Sequence, residues 1–201
     1  MSEMPFSSKF TITSPYGNRL DPITGNPGWH GGVDLVSADT NVRSVMSGFV
    51  LISRIVIDHS NDTWEWGNYI SIAGDDGKVV YYCHLLRRDV QQGARVDAGQ
   101  VIGIEGATGR VTGRHLHFEV RDWSGKQLDP CSYLGIANEA GYVWTPEAPH
   151  LKQAHTWSRD AVDWCVSRGI LKGRGDGDYA LGEPLTREEM CVMLYRYKEM
   201  I

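Results

Sequence analysis

The sequence has no excess of positive charge, because 20 Lys and Arg residues face 25 Asp and Glu residues, for a formal net charge of −5. Binding to nucleic acid or to an anionic membrane depends on clustered positive charge, so neither is expected as a partner. The longest apolar run, residues 49–57, is interrupted by Ser53 and Arg54 and is too short to cross a bilayer.

Several other familiar signals are missing. The first five residues carry neither the basic start nor the apolar stretch of a secretory signal, so we expect synthesis in the cytoplasm without a signal peptide. The four cysteines form no CxxC pair, which argues against a disulfide framework and against a thiolate zinc site. The 201 residues are enough for one core with a small appendage.

The first two thirds of the chain, residues 9–135, have the pattern of a β domain. Short segments rich in Val, Ile and Tyr alternate with turns, and Gly-Asp-Asp-Gly at 74–77 is typical of a hairpin. Because no helical periodicity lies between the segments, we predict a mainly β, antiparallel domain. The predicted strands are 47–57, 68–73, 78–85, 101–105 and 115–121.

The pattern changes after this region. A polar stretch, residues 136–154, contains Pro146 and Pro149 and is interpreted as a linker. Beyond it the apolar residues follow a helical period, which predicts a small α-helical, helix-loop-helix module over 155–201. The clearest case is the set Met190, Met193, Leu194 and Tyr197.

Histidines provide the chemical signal. His115 and His117 flank Leu116 in a strand, so their side chains lie on the same face. His30 and Asp34 surround two glycines that precede another strand, and His84 follows a third and could face the same cleft. Two histidines and one carboxylate supply three ligands and leave a fourth zinc position for water. Taken singly, each motif also fits a structural turn or surface role, but their joint order favours a metal site.

These motifs together resemble the lysostaphin-like (LytM-type) zinc endopeptidases, which cut peptide bonds in bacterial peptidoglycan. The similarity extends from about Thr13 to Leu134. The matching residues are His30-x-Gly32-x-Asp34, Tyr82-x-His84 and Gly113-x-His115-Leu116-His117-Phe118-Glu119, with Tyr16-Gly17-Asn18-Arg19 upstream.

The resemblance implies an antiparallel sheet domain with zinc held by His30, Asp34 and His117. It implies that His84 and His115 form the catalytic pair, one deprotonating the attacking water and the other stabilising the oxyanion. It does not say which histidine does which.

One loop is particular to this chain. Residues 61–66, Asn-Asp-Thr-Trp-Glu-Trp, look like an insertion before a strand. Trp64 and Trp66 could bind substrate by lining its groove, or could pack the loop onto the sheet.

The tail resembles one S-layer-homology repeat, through Trp157, Gly169-Ile170-Leu171 and Leu185-Thr186-Arg187-Glu188-Glu189-Met190. Such repeats bind secondary polymers of the cell wall and often occur three in a row. A single repeat buries little core, so we expect it to be supported either by the catalytic domain or by copies in other chains of a homo-oligomer.

The sequence therefore predicts a modular cell-wall hydrolase, a zinc metalloendopeptidase with a wall-binding module. We expect a phage endolysin that acts at the bacterial wall after release from the cell. Two alternatives stay open: a non-catalytic wall-binding or regulatory protein with the peptidase fold, and a peptidoglycan amidase.

Overall fold

The protein is described by a computed structural model that covers residues 3–56, 63–146, 154–173, 179, 181, 184 and 187–198. The chain forms two compact units, residues 1–145 and 146–201. Each unit is described by itself below. Among the described residues, no helix combines the length and the apolar character needed to cross a membrane.

The first unit is built from strands, which confirms the mainly β, antiparallel prediction. A short helix, α1 (Pro130–Leu134), follows the last long strand. The strands are β1 (Phe10–Ser14), β2 (Gly17–Leu20), β3 (Pro27–His30), β4 (Val33–Ser37), β5 (Asn41–Arg43), β6 (Gly48–Arg54), β7 (Tyr69–Gly74), β8 (Lys78–Cys83), β9 (Arg87–Arg88), β10 (Arg95–Val96), β11 (Val101–Ile104), β12 (Leu116–Asp122), β13 (Gln127–Leu128) and β14 (Val143–Trp144).

One large sheet dominates this unit. Its strands follow the order β10-β6-β7-β8-β12-β4-β1-β14, all antiparallel, and β13 pairs with β12 beside this path. A three-stranded sheet, β5-β11-β9, and the separate hairpin β2-β3 complete the domain. The central strand β12 is therefore flanked on both sides, by β8 and β4.

Strand β12 separates the core from the site. Leu116, Phe118 and Val120 are fully buried in the apolar core, where the Phe118 ring packs edge-on against Tyr82. Since side chains alternate along a strand, His117 and Glu119 lie on the opposite face. The core thus fixes which residues β12 presents to the groove described below.

Two regions differ from the sequence predictions. The hairpin β2-β3 was not predicted, because its residues are mostly exposed and show no apolar alternation. The predicted linker, 136–154, begins with residues of the sheet domain, since Trp144 of β14 stacks on Phe10 of β1 at 5.1 Å. Residues 147–153 lie outside the described part of the chain.

The second unit contains two described helices, α2 (Arg159–Ser167) and α3 (Arg187–Lys198), and a 3-10 turn, Thr156–Ser158. Trp164 and Tyr197 bring the helices into contact, with ring centres 6.2 Å apart, and Arg196 donates a hydrogen bond to the Ile170 carbonyl. Leu185 and Thr186 of the repeat motif are outside the described residues. The described residues of both helices include no buried side chain.

Candidate metal centre and groove

Three strands bring the predicted metal ligands together. His30 ends β3, Asp34 lies in β4, and the sheet register pairs Asp34 directly with His117 of β12. The turn between β3 and β4 needs glycine at position 32, where a Cβ atom would lie 2.6 Å from the Phe118 carbonyl oxygen and 2.8 Å from the His117 ring. The Gly-Gly step therefore lets the chain pass close against the His117 ring.

The ligand atoms of these residues converge on one point. His30 Nε2 lies 3.0 Å from His117 Nδ1, and Asp34 Oδ1 lies 3.1 Å from the first and 2.8 Å from the second. All three side chains are buried. Within the described residues, this is the group of His, Cys, Asp and Glu side chains that could hold a metal ion.

Hydrogen bonds on the far side of each ring fix the proton positions. His30 Nδ1 lies 2.8 Å from the Pro15 carbonyl oxygen, which can only accept, so the proton sits on Nδ1 and the Nε2 lone pair faces the cluster. His117 Nε2 faces the Glu119 carboxylate at 3.2 Å in the same way. Lone pairs on two nitrogens and one carboxylate oxygen therefore face one another, which suits a bound cation, and the donor set suits zinc.

The second oxygen of Asp34 is held separately. Arg19 donates to Asp34 Oδ2 at 3.2 Å and also to the Ser14 hydroxyl. Burial alone would raise the pKa of Asp34, but the favourable electrostatic interaction with the adjacent His117 and His30 rings outweighs it and holds that pKa well below its usual range. Asp34 is therefore ionised at neutral pH, as a metal ligand must be.

The two remaining histidines lie beside the cluster. The ring centres of His84 and His115 are 4.7 Å apart, and that of His84 is 5.7 Å from His117. His84 Nδ1 donates to the Thr108 carbonyl at 2.8 Å and His115 Nδ1 donates to the Gly113 carbonyl at 2.9 Å. Each ring therefore carries its lone pair on Nε2.

His84 has an unusual backbone conformation and a lowered pKa. Its φ of 63° lies in the left-handed region, and its N–H donates to the Trp66 carbonyl at 2.8 Å. Burial, helped by the nearby His117 and His115, lowers the pKa of His84 to about 3. The ring is therefore neutral at pH 7.

These five residues lie on the floor and walls of an open groove with a cavity volume of about 580 Å³. Its described lining includes Trp66 but not Trp64, and Trp66 also packs against Tyr69 and Tyr81. Trp66 therefore lines the groove and also packs the loop onto the sheet. Substrate binding by Trp64 or Trp66 stays a prediction. Asn61 and Asp62 lie outside the described residues.

Sequence reasoning missed several residues of the groove. Glu119 and Arg121 continue the alternation that begins with His115 and His117, and that pattern could have identified them. Trp29 was also missed, although it directly precedes His30. Its side chain is exposed in the groove, donates from Nε1 to Gln127 at 3.0 Å and meets Tyr16 edge-on.

An ion pair between the buried Glu105 and the exposed Arg114 supports the loop that carries His115. Glu105 accepts a hydrogen bond from Arg114 at 2.7 Å, and Arg114 also donates to the Ser37 carbonyl. The backbone N–H of His115 bonds to the Gly106 carbonyl at the base of this loop. Burial raises the pKa of Glu105 to about 7, more than Arg114 lowers it.

This pKa predicts a pH-dependent contribution to stability. Between the unfolded pKa of about 4.3 and the folded value, the folded state holds a proton that the unfolded chain has lost. The free energy of unfolding contributed by Glu105 therefore falls as pH rises through this window, by about 1–3 kcal/mol, and is constant above it. Urea unfolding of the wild type and of Glu105→Gln between pH 4.5 and 8 should show a difference that changes with pH. Parallel stability curves would contradict the prediction.

Buried sets of two histidines and one carboxylate in an accessible groove are typical of metal-dependent peptidases. The sequence profile of Peptidase family M23 matches residues 28–130, about half of the chain, and the chain belongs to this family. A second profile, the S-layer homology domain, matches residues 150–191.

Individual relatives agree with this assignment. The peptidoglycan DD-endopeptidase ShyC of Vibrio cholerae is 40% identical over 102 residues, which are 50% of this chain and 22% of that protein. Lysostaphin of Staphylococcus simulans is 34% identical over 138 residues, 65% of this chain and 27% of that protein. The chain spans only about a fifth to a third of the length of the first curated relatives.

Solved structures show the same fold. The lysostaphin catalytic domain has a TM-score of 0.51 at 31% identity, covering 64% of this chain and 92% of that one. The catalytic domain of the prophage-encoded M23 protein EnpA from Enterococcus faecalis has a TM-score of 0.54 at 27% identity, covering 66% and 96%.

Proposed function

We propose that this protein is a zinc-dependent endopeptidase that hydrolyses peptide bonds of bacterial peptidoglycan, in the stem peptide or the cross-bridge. The observation that carries the proposal is the convergence of three lone-pair donors, from His30, Asp34 and His117, beside two further histidines in an open groove. The relatives named as peptidoglycan endopeptidases support the substrate class.

The site residues have two kinds of role, metal binding and proton transfer. His30 Nε2, Asp34 Oδ1 and His117 Nδ1 would hold the ion. When bound, zinc supplies Lewis acidity, which polarises a carbonyl and lowers the pKa of water. His84 and His115 present Nε2 to the groove, so one would accept the proton of the attacking water and return it to the leaving amine as the C–N bond breaks, while the other, in its protonated form, would donate to the oxyanion. Both rings carry a proton on Nδ1 and present Nε2 to the groove, so the two roles are assigned to the pair and not to one histidine each.

Digestion of purified peptidoglycan tests the reaction. An endopeptidase releases new amino groups and no new reducing sugar ends, and mass spectrometry of the fragments identifies the broken bond. Loss of the whole stem peptide from muramic acid would indicate the amidase alternative. Binding to walls without any release would indicate the non-catalytic alternative, and new reducing ends would show a glycosidase.

The C-terminal unit is proposed to be a helix-loop-helix module, residues 155–201, that binds a secondary cell-wall polymer. The match to the S-layer homology domain supports this role. Together with the prophage-encoded M23 relative, it supports an endolysin that reaches the wall after phage-driven release and lyses the cell. The division into a peptidase domain, a linker and a C-terminal module over 155–201 stays part of the proposal, with the residues of β14 assigned to the peptidase domain.

Removing the C-terminal unit should separate binding from catalysis. A variant that ends at residue 147 is expected to retain zinc and to cleave soluble muropeptides, because all five site residues belong to the first compact unit. Its binding to intact walls should fall by about tenfold or more, since one of two attachment points is lost. Pull-down with intact cell walls measures the change. Equal binding with and without residues 148–201 would contradict the prediction.

Self-association is proposed through the same unit. Helix α3 exposes Met190, Leu194, Tyr195 and Tyr197, and a single repeat of this size needs additional apolar contacts for stability. Three copies would provide them and would add avidity for a repeating polymer. Light scattering should then show an oligomer for the full chain and a monomer for the shortened variant.

A further inference from the structure

Behind His117 lies a layer of side chains that the proposed reaction does not use. His117, Glu119 and Arg121 alternate along β12 and face the same side of the sheet. Glu119 is buried, and its Oε1 lies 3.2 Å from His117 Nε2. Its other oxygen, Oε2, accepts hydrogen bonds from Arg121 Nε at 2.8 Å and from a terminal nitrogen of the same guanidinium at 2.5 Å.

Two aromatic rings enclose this guanidinium. The central carbon of the Arg121 guanidinium lies 4.8 Å from the centre of the Tyr81 ring and 5.3 Å from that of Trp66. Both distances are within the range of cation–π attraction. Trp66 is in turn held edge-on against Tyr69 at 5.3 Å and Tyr81 at 5.4 Å. The contacts thus form a continuous series from Trp66 through Arg121 and Glu119 to His117.

We propose that Trp66 and Arg121 are positioning residues for the metal, a clamp that holds Glu119 against His117 and thereby sets the zinc affinity. This inference rests on the proposed function, in that His117 is a zinc ligand. The loop that contains Trp66 then serves the metal centre in addition to forming part of the groove wall.

The physical reason lies in the partners that Glu119 retains. A carboxylate that accepts the second ring proton of a ligating histidine fixes the ring orientation and raises its basicity, and losing such a partner costs roughly 10–100-fold in metal affinity. Without Arg121, the buried Glu119 loses the hydrogen bonds of one oxygen, so its preferred position relative to His117 shifts. Without the aromatic ring of Trp66, one side of the guanidinium is released.

The experiment measures zinc affinity of the full chain by competition with a chromogenic chelator. Arg121→Met is expected to weaken zinc binding by about three- to tenfold, less than the full loss of a direct carboxylate partner. Arg121→Lys should weaken it by a similar factor, since a lysine has neither the planar stack nor the forked donors. Trp66→Leu should weaken it, whereas Trp66→Phe, which keeps a ring face, should stay within about twofold of wild type.

The chain offers a matched control. Arg95 stacks on Phe49 at 5.0 Å and forms two hydrogen bonds to Asp75, which is the same chemistry on strand β10, away from the metal ligands. Arg95→Met should leave zinc affinity unchanged. A combined Trp66→Leu and Arg121→Met variant should bind zinc about as well as Arg121→Met alone, because both changes act through Glu119.

The outcomes separate this inference from the proposed function. If wild type binds zinc and Arg121→Met binds it equally well while folded by circular dichroism, the clamp proposal is wrong and the proposed function stands. If wild type binds no zinc, both fail. Should Arg121→Met not fold, Trp66→Leu against Trp66→Phe decides, and equal affinities for these two would overturn the clamp.

Discussion

Replacing His30, Asp34 or His117 by alanine is expected to abolish stoichiometric zinc binding. Each change removes one of three donors that lie within 3.1 Å of one another. The two donors that remain are expected to bind zinc too weakly for full occupancy in competition with water. Elemental analysis should find about one zinc per chain in the wild type, as expected for a single three-ligand site. The three variants should contain well below that amount.

A histidine in the other unit provides the control. His155 stacks on Trp157 in the C-terminal unit, so His155→Ala should keep the full zinc content. Full occupancy in all three ligand variants would show that the ion binds elsewhere, and the ligand assignment would have to be abandoned.

Changing His84 or His115 to alanine should remove turnover while leaving zinc in place. Neither ring is part of the three-donor cluster, but both present Nε2 to the groove. Because general-base and oxyanion contacts each contribute roughly 10²–10⁴ in rate, kcat should fall by a factor in that range. Release of amino groups from peptidoglycan measures the rate, and elemental analysis of the same samples measures zinc.

Measuring turnover and zinc content on the same samples distinguishes a catalytic histidine from a metal ligand. A variant that loses zinc together with activity would place the histidine among the ligands instead of beside them. A variant that retains both zinc and full turnover would exclude that histidine from the reaction.

The site was largely accessible from the sequence because it depends on local alternation. His115-Leu116-His117 predicts two imidazoles on one face of a strand. In the structure both imidazoles line the groove and Leu116 is in the core, but β12 begins at Leu116 and His115 forms a single bridge to Gly106 just before it. What the pattern does not contain is the pairing of Asp34 with His117 across β4 and β12, which long-range strand register determines. The resemblance to a known family supplied that juxtaposition.

The missed elements share a physical reason. Hairpin β2-β3 buries no side chain other than that of His30, so no apolar period marks it. Residues 136–144 are interpreted from the sequence as linker because Pro and polar residues surround them, whereas Val143 and Trp144 pair with β1 and Trp144 stacks on Phe10. The partners of Trp66 lie on strands β7, β8 and β12, and no local sequence pattern predicts these contacts.

The backbone of His84 has a consequence for the balance between stability and activity. A side chain at a φ of 63° costs about 1 kcal/mol or more compared with ordinary conformations. Glycine would adopt the same backbone freely, but it carries no imidazole. The fold keeps the histidine there because hydrogen bonds to Trp66 and Thr108 hold it in place. Glycine would relieve the backbone cost at this position but would remove the imidazole that the proposed reaction needs, so the conformational cost accompanies the function.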